Sequence, residues 1–158
     1  MSKVYSLKTV QKIPVNLNKA WNFFSNPANL QSITPQKMGF KIISKYHGEK
    51  MYAGQIIEYK VSPVLNIPLY WMTEITHVEE KKYFVDEQRF GPYVMWHHQH
   101  HFKELDGFVE MTDIVHYKLP FRFLGDMAHG LFVKRQLEDI FEYRVKKVEE
   151  VFGIVSYV

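Results

Sequence analysis

Four histidines fall within five positions: His97, His98, His100 and His101. Imidazoles that close together could ligate a metal, move protons as general acids and bases, or pair with buried carboxylates. Which of these applies depends on the side of the backbone that each ring leaves. Val94 to Glu104 reads as a strand, and side chains alternate between the two faces of a strand. That alternation splits the four rings two and two. Trp96, His98, His100 and Phe102 share one face; Met95, His97, Gln99, His101 and Lys103 share the other. The first face carries two large aromatics and no fixed charge, so it points inward and leaves His97 and His101 in solvent.

The neighbouring strands bring carboxylates to the same side. Phe108 to Leu119 presents Met111, Asp113, Val115 and Tyr117 inward. Tyr83 to Phe90 turns Phe84, Asp86, Gln88 and Phe90 one way, because Glu87 and Arg89 on its other face call for water. Trp71, Thr73 and Ile75 form the inward set of Leu69 to Val78. One cation joins them from the last third of the chain. Between Asp126 and Phe152 the apolar residues Val133, Leu137, Ile140, Phe141, Val148, Val151 and Phe152 fall in a helical stripe about 120° wide. Arg144 lies in the middle of it, about 20° from Leu137. An unpaired buried guanidinium is costly, so Arg144 requires a carboxylate, Asp86 or Asp113.

Three chemistries fit this inward set. In the first, Asp86, Asp113 and Arg144 form a structural ion pair and the histidines hydrogen-bond within the sheet. In the second, the polar groups floor an apolar pocket and orient a ligand. In the third, His98 and His100 supply two metal ligands and Asp113 or Asp86 a third. The two-and-two split of the histidines weakens the third, and neither a metal nor a cofactor is expected. If the chain is an enzyme, His98 or His100 is the general base and Asp113 its orienter, a pairing suited to proton transfer or dehydration. An Asp beside Arg144 stays ionised, whereas an inward histidine tends toward its neutral form. No serine falls in the inward sets, and no nucleophile elbow, phosphate loop, dinucleotide turn or zinc-protease helix motif is present.

The elements that hold these residues follow from pattern and punctuation. Val4 to Gln11 reads as a strand. A helix opens after Pro14-Val15 with Asn16 as N-cap, carries Trp21 and Phe24 on one face, and stops at Asn26-Pro27. A short turn from Ala28 to Ile33 follows. Six further strands are expected: Phe40 to Tyr46, Gln55 to Val61, Leu69 to Val78, Tyr83 to Phe90, Val94 to Glu104 and Phe108 to Leu119. His47-Gly48, Pro63 to Pro68, Glu79 to Lys82, Gly91-Pro92 and Asp106-Gly107 separate them. The last pair supplies the positive-φ positions of a tight hairpin. Asp126 is placed as the N-cap of the final helix and Gly153 as its stop. The order β-α-α-β-β-β-β-β-β-α implies an α+β architecture. A strongly bent seven-stranded antiparallel sheet wraps around a long C-terminal helix, with two short helices after the first strand. The volume between sheet and helix is either packed solid or a ligand cavity.

Composition narrows the function classes. A chain of 158 residues is about one domain, so residues 1–158 are read as a single unit. It holds 12 Phe, 10 Tyr, 3 Trp and 8 His but no Cys, which excludes disulfides, a thiolate nucleophile and sulfur-ligated metals. No apolar run approaches a membrane span, and the start lacks the apolar core of a signal peptide, so the expected location is the cytoplasm. The net charge of +3 divides into +7 over residues 1–60 and −4 over 61–158. No basic run exceeds two residues, which argues against nucleic-acid binding.

Several residues together resemble a known superfamily: Pro14, Trp21, Phe23-Phe24-Ser25, Pro27 and Leu30, then Phe84-Val85-Asp86-Glu87-Gln88, Gly91-Pro92-Tyr93, Trp96-x-His98-x-His100-x-Phe102, Met111-x-Asp113-x-Val115-x-Tyr117-x-x-Pro120 and Phe141-x-Tyr143-Arg144. With the order of elements, the chain is similar to the START/SRPBCC helix-grip proteins, which include the pollen-allergen-like ones. It most resembles small bacterial members described as polyketide cyclase/dehydratase-like or cell-division-inhibitor-like. The resemblance implies a deep cavity between sheet and C-terminal helix, in a superfamily whose members carry lipids, sterols, hormones or polyketides or catalyse cyclisation or dehydration. It brings no assigned catalytic residue. The partner it implies is a small, mostly apolar molecule, lipid-like or aromatic. Trp71, Phe84, Trp96, Phe102 and Tyr117 would give apolar contacts, and His98, His100 and Gln88 polar orientation. Phe121, Phe123 and Leu124 suit either a mobile portal or a plain loop packed on the helix. Two alternatives stand beside ligand binding: a cyclase or dehydratase, and a regulatory protein with a packed core and no ligand.

Overall fold

The computed structural model describes residues 3–45, 50–62, 67–120, 127 and 132–155. Alternation of large and polar side chains builds seven strands: β1 (Tyr5–Ile13), β2 (Lys41–Ile42), β3 (Gln55–Val61), β4 (Leu69–Glu79), β5 (Tyr83–Phe90), β6 (Met95–Leu105) and β7 (Phe108–Lys118). Along β7 burial switches at every residue, the signature of a strand with one face on a core. All neighbours are antiparallel, in the order β1-β7-β6-β5-β4-β3-β2. Register shifts interrupt the β4–β5 ladder at Met72/Thr73 and Ile75/His77, and irregularities of this kind bend a strand.

Because β1 and β2 lie on opposite edges, the chain between them must cross the sheet. Helices α1 (Leu17–Phe24) and α2 (Pro27–Leu30) and a 3-10 turn (Gln36–Met38) make that crossing. Asn16 caps α1 by accepting from the Lys19 N–H at 2.9 Å, as its side-chain type predicts. Asn26 caps α2 through the Ala28 N–H at 3.0 Å, with Pro27 in the first turn, where a missing N–H costs nothing.

The long helix α3 (Lys134–Phe152) buries Leu137, Phe141 and Val148 and ends at Gly153, whose N–H reaches the Glu149 carbonyl at 2.8 Å. Gln11 of β1 donates to the Val145 carbonyl at 2.9 Å and ties the helix to the sheet edge. Around Trp21 one core gathers Ile13, Phe84, Phe102, Val109 and Val148. The Trp21 ring meets Phe84 and Phe102 edge-on. A second core lies under β3 and β4, around Ile57, Tyr59 and Ile75. The third joins Val115 and Tyr117 to Leu137 and Phe141.

The expected α+β helix-grip architecture is therefore present, with local differences. Of the strand expected over Phe40 to Tyr46, the described residues pair only at Lys41–Ile42, since Gly39 just before it turns left-handed (φ 53°) and an edge strand has one neighbour only. In the β6–β7 hairpin Gly107 alone takes positive φ (81°) and Asp106 does not, so the turn has one left-handed position where two were expected. Val151, expected in the buried stripe, is half exposed because Phe152 packs on Phe23 and supplies the last turn's contact. The proposed N-cap Asp126, the turns at His47-Gly48 and Pro63 to Asn66, and Phe121, Phe123 and Leu124 lie outside the described residues. No helix among the described residues is long and apolar enough to cross a membrane.

Candidate functional site

Between the sheet, α2 and α3 lies a cavity of about 190 Å³. Most of its wall is apolar: Ile57, Trp71 and Ile75 from the sheet, Phe24 and Leu30 from the crossing segment, Leu137, Ile140 and Phe141 from α3. Its charged and imidazole groups are Asp86, His98, His100 and Arg144, and Asn29, Thr34, Thr73 and Gln136 are further polar residues of the lining. Trp71 and Trp96 stand edge to face 5.4 Å apart on the same cavity.

The cluster of carboxylate and imidazole groups follows from strand register. On the inner face His98 sits directly opposite Asp86 of β5, and His100 directly opposite Asp113 of β7. Each histidine thus has one carboxylate across from it and the other on the diagonal, both within reach of cross-strand side chains. The hydrogen bonds run along the diagonals. His98 Nε2 meets Asp113 Oδ1 at 3.1 Å, and His100 Nε2 meets Asp86 Oδ2 at 2.8 Å. The other two ring nitrogens face the opposite carboxylates: His98 Nδ1 lies 3.3 Å from Asp86 Oδ2 and His100 Nδ1 lies 2.8 Å from Asp113 Oδ1. The last pair is close but misaligned, and His100 Nδ1 makes no hydrogen bond. The imidazoles lie against each other at 3.8 Å, and His100 stacks on Phe84 at 4.1 Å.

Burial alone would raise both carboxyls. Against it, the charge of His98 and the hydrogen bond from His100 hold Asp86 far below the usual carboxylate range. Asp113 is depressed in the same way, chiefly by the His100 and His98 rings against it. For His98, burial favours the neutral ring, yet the Asp86 charge and the hydrogen bond with Asp113 outweigh it and raise its pKa. The expectation that inward histidines tend toward neutrality fails here because a carboxylate lies on each side of this ring.

The expected ion pair takes a different form as well. Asp86 Oδ2 and Asp113 Oδ1 each face both histidine rings. Arg144 comes no closer than 4.0 Å to Asp113, beyond hydrogen-bond reach, and its buried Nε has no partner. Its guanidinium carbon lies 5.1 Å over the Phe141 ring. The histidine–carboxylate register was missed from the sequence although a signal existed. A two-residue Asp106-Gly107 turn fixes Leu105 opposite Phe108, and counting back along both strands sets His100 opposite Asp113.

Of the expected ligand contacts, Trp71, Phe84, Trp96, His98 and His100 line the cavity. Gln88, Phe102 and Tyr117 are not part of its lining. Phe102 belongs to the core around Trp21, and Tyr117 to the core beneath Leu137. Gln88 clamps the turn before β6: its amide donates to the Tyr93 carbonyl at 2.7 Å and accepts from the Tyr93 N–H at 3.2 Å. Gly91 makes room for that clamp, since a Cβ there would stand 2.5 Å from Gln88 Oε1. Gly91→Ala is therefore expected to displace Gln88 and cost about 1–3 kcal/mol, the loss typical of buried polar groups left unpaired. Urea unfolding measures the cost, and a change under about 0.5 kcal/mol, the scatter of neutral surface substitutions, would contradict the clamp.

Asp86, His98 and His100 place one ligand-type atom each within 4.8 Å of one another, the spacing of a candidate metal set. A metal would have to displace protons from rings already committed to carboxylates, and the distances within the cluster are those of hydrogen bonds.

Sheet order, the edge-to-edge crossing by two short helices and a long C-terminal helix over the inner face together define a helix-grip protein. No family model and no curated protein sequence matches the chain. Solved structures do match. A protein of Thermus thermophilus superposes with TM-score 0.70 at 12% identity, over 92% of this chain and 95% of that one. A protein of Chromobacterium violaceum does so with TM-score 0.70 at 10% identity, over 95% and 99%. The major latex-like protein 151 of Panax ginseng gives TM-score 0.68 at 13% identity, over 94% and 97%. At these identities the likeness is one of fold, and it agrees with the resemblance to the SRPBCC superfamily seen in the sequence.

Proposed function

We propose that the protein binds a small, mostly apolar, ring-bearing molecule in the cavity between the sheet and α3. The observation that carries this reading is a mostly apolar cavity lining that includes one cluster of carboxylate and imidazole groups, the arrangement by which binding sites combine affinity with orientation. Size adds a constraint. An apolar cavity of about 150 Å³ admits benzene, so the volume of about 190 Å³ here suits one or two rings better than a long lipid chain. The resemblance to a superfamily of carriers supports the same reading. The geometry supports a histidine-base enzyme less well, because every ring nitrogen of His98 and His100 faces a carboxylate oxygen. A regulatory protein with a solid core would need no such volume.

Ile140 lines the cavity from α3 and is only partly buried, so Ile140→Trp has room to fill it. With 1-naphthylmethanol as probe and the fluorescence of Trp71 and Trp96 as signal, Ile140→Trp is expected to lower affinity at least about tenfold, the effect of losing about 1.4 kcal/mol of contact. The thermal midpoint should stay within a few degrees. Equal affinity of wild type and variant would place the bound probe elsewhere and overturn the reading.

A further inference from the structure

We infer that Arg144 is the docking point for an acidic group on the ligand, and that the cavity takes a one- or two-ring carboxylic acid as its anion. The inference rests on the ligand-binding reading above and names the class of ligand. Arg144 has five N–H donors in a planar fork. Among the described residues its one close carboxylate is Asp113, at 4.0 Å, and its Nε is buried without a partner. A guanidinium kept in place only to neutralise Asp113 would approach within hydrogen-bond distance. Asp113 has no need of it, being already bound by His98 and in contact with His100.

Arg144 instead forms part of the cavity wall, its side chain 13% exposed, with the guanidinium over the Phe141 face. A buried guanidinium with unspent donors costs stability, and such a cost is typical of a site held ready for a ligand. The fork matches the two oxygens of a carboxylate. Nor do Asp86 of the wall and the neighbouring Asp113 turn an anion away. Each is engaged by a histidine ring nitrogen, and the cation of the wall that lacks a hydrogen-bonded anion is Arg144. The adjoining rings of Phe141, Trp96 and Trp71 would then hold the apolar body of the acid.

Calorimetric titration with 1-naphthoate and with neutral 1-naphthylmethanol tests this, using wild type, Arg144→Met and Arg144→Lys. The expected result is naphthoate binding at least tenfold tighter than the alcohol in wild type. Arg144→Met should erase that preference while binding the alcohol within threefold of wild type, and Arg144→Lys should keep only part of it. Naphthoate should raise the thermal midpoint of wild type and leave that of Arg144→Met unmoved, and Arg144→Met without ligand should be at least as stable as wild type. Equal affinity for acid and alcohol in wild type would overturn the inference and leave the cavity reading standing. So would a preference for the acid that survives in Arg144→Met. An Arg144→Met protein that no longer folds would make Arg144 a structural partner of Asp113 and overturn the inference, unless Arg144→Lys, folded, lost the preference for the acid. Binding of neither probe would overturn the ligand-binding reading itself, and the inference with it.

Discussion

Replacing Asp113 with Leu is expected to destabilise the fold by about 3–5 kcal/mol, the range found when one member of a buried charge cluster is removed and its partners are stranded. Asp113 is 6% exposed. Its Oδ1 accepts from His98 Nε2, faces His100 Nδ1 at 2.8 Å and lies 4.0 Å from Arg144. Leucine fills the space but leaves these groups facing hydrocarbon. Urea unfolding of the purified protein reads the loss directly. Two companions separate charge from packing. Asp113→Asn keeps an acceptor and should lose less. His98→Leu in the Asp113→Leu background should recover part of the loss, since the penalty lies in the stranded imidazole. A loss within about 1 kcal/mol for Asp113→Leu, the median effect of an ordinary substitution, would show that the cluster is not coupled as its distances indicate. Arg144 is expected to behave in the opposite sense, its removal costing nothing, although pairing from the sequence alone makes it the partner whose loss strands a carboxylate.

That contrast shows where the sequence was legible. Alternation sorted the inward side chains of β6 and β7, and the structure buries His98, His100, Asp113, Val115 and Tyr117 as sorted, whereas on β5 Phe90, expected inward, is exposed and Val85, expected outward, is buried. Helical angle placed Arg144 on the inner side of α3, where it lines the cavity. These are one-dimensional properties, set by a period of two or of 3.6 residues. Pairing is not. Asp86 meets His98 because of the β5–β6 register, and the connection between those strands runs through Gly91 and Pro92 with no two-residue turn to count from. Arg144 looked like the natural mate of an aspartate because it is the inner face's permanent cation, yet the histidines stand closer on the adjoining strand. The same limit explains Gln88. Its face was read correctly as inward from the alternation, but the turn it clamps at Tyr93 is set by local backbone geometry that no periodicity reports.

The His–Asp cluster also makes stability depend on pH in a defined direction. Stability is expected to be greatest between about pH 4 and pH 6.5, the ordinary carboxylate and imidazole values of the unfolded chain. On the acid side, Asp86 and Asp113 have folded pKa values depressed below their unfolded ones. Their contribution is present above about pH 4 and is lost as pH falls through the depressed values. Two depressed carboxylates act on this arm against one raised histidine on the other, so this arm should be the steeper. On the alkaline side, His98 has a folded pKa raised above its unfolded value. Its contribution is complete below about pH 6.5 and disappears as pH rises through the raised value. His101 shifts in the opposite direction, because burial first and the His100 charge second push its pKa down. Stability linked to His101 therefore grows as pH rises through its lowered folded value and is complete above about pH 6.5. Comparing wild type with His98→Gln removes the His101 contribution from the difference. Urea midpoints taken from pH 3 to pH 9 should show the two proteins converging as pH rises, with the wild-type advantage concentrated at the acidic end of the neutral range. A wild-type advantage that is constant above pH 6 would mean that His98 carries no charge in the folded protein, and that the two carboxylates are held ionised by some other group.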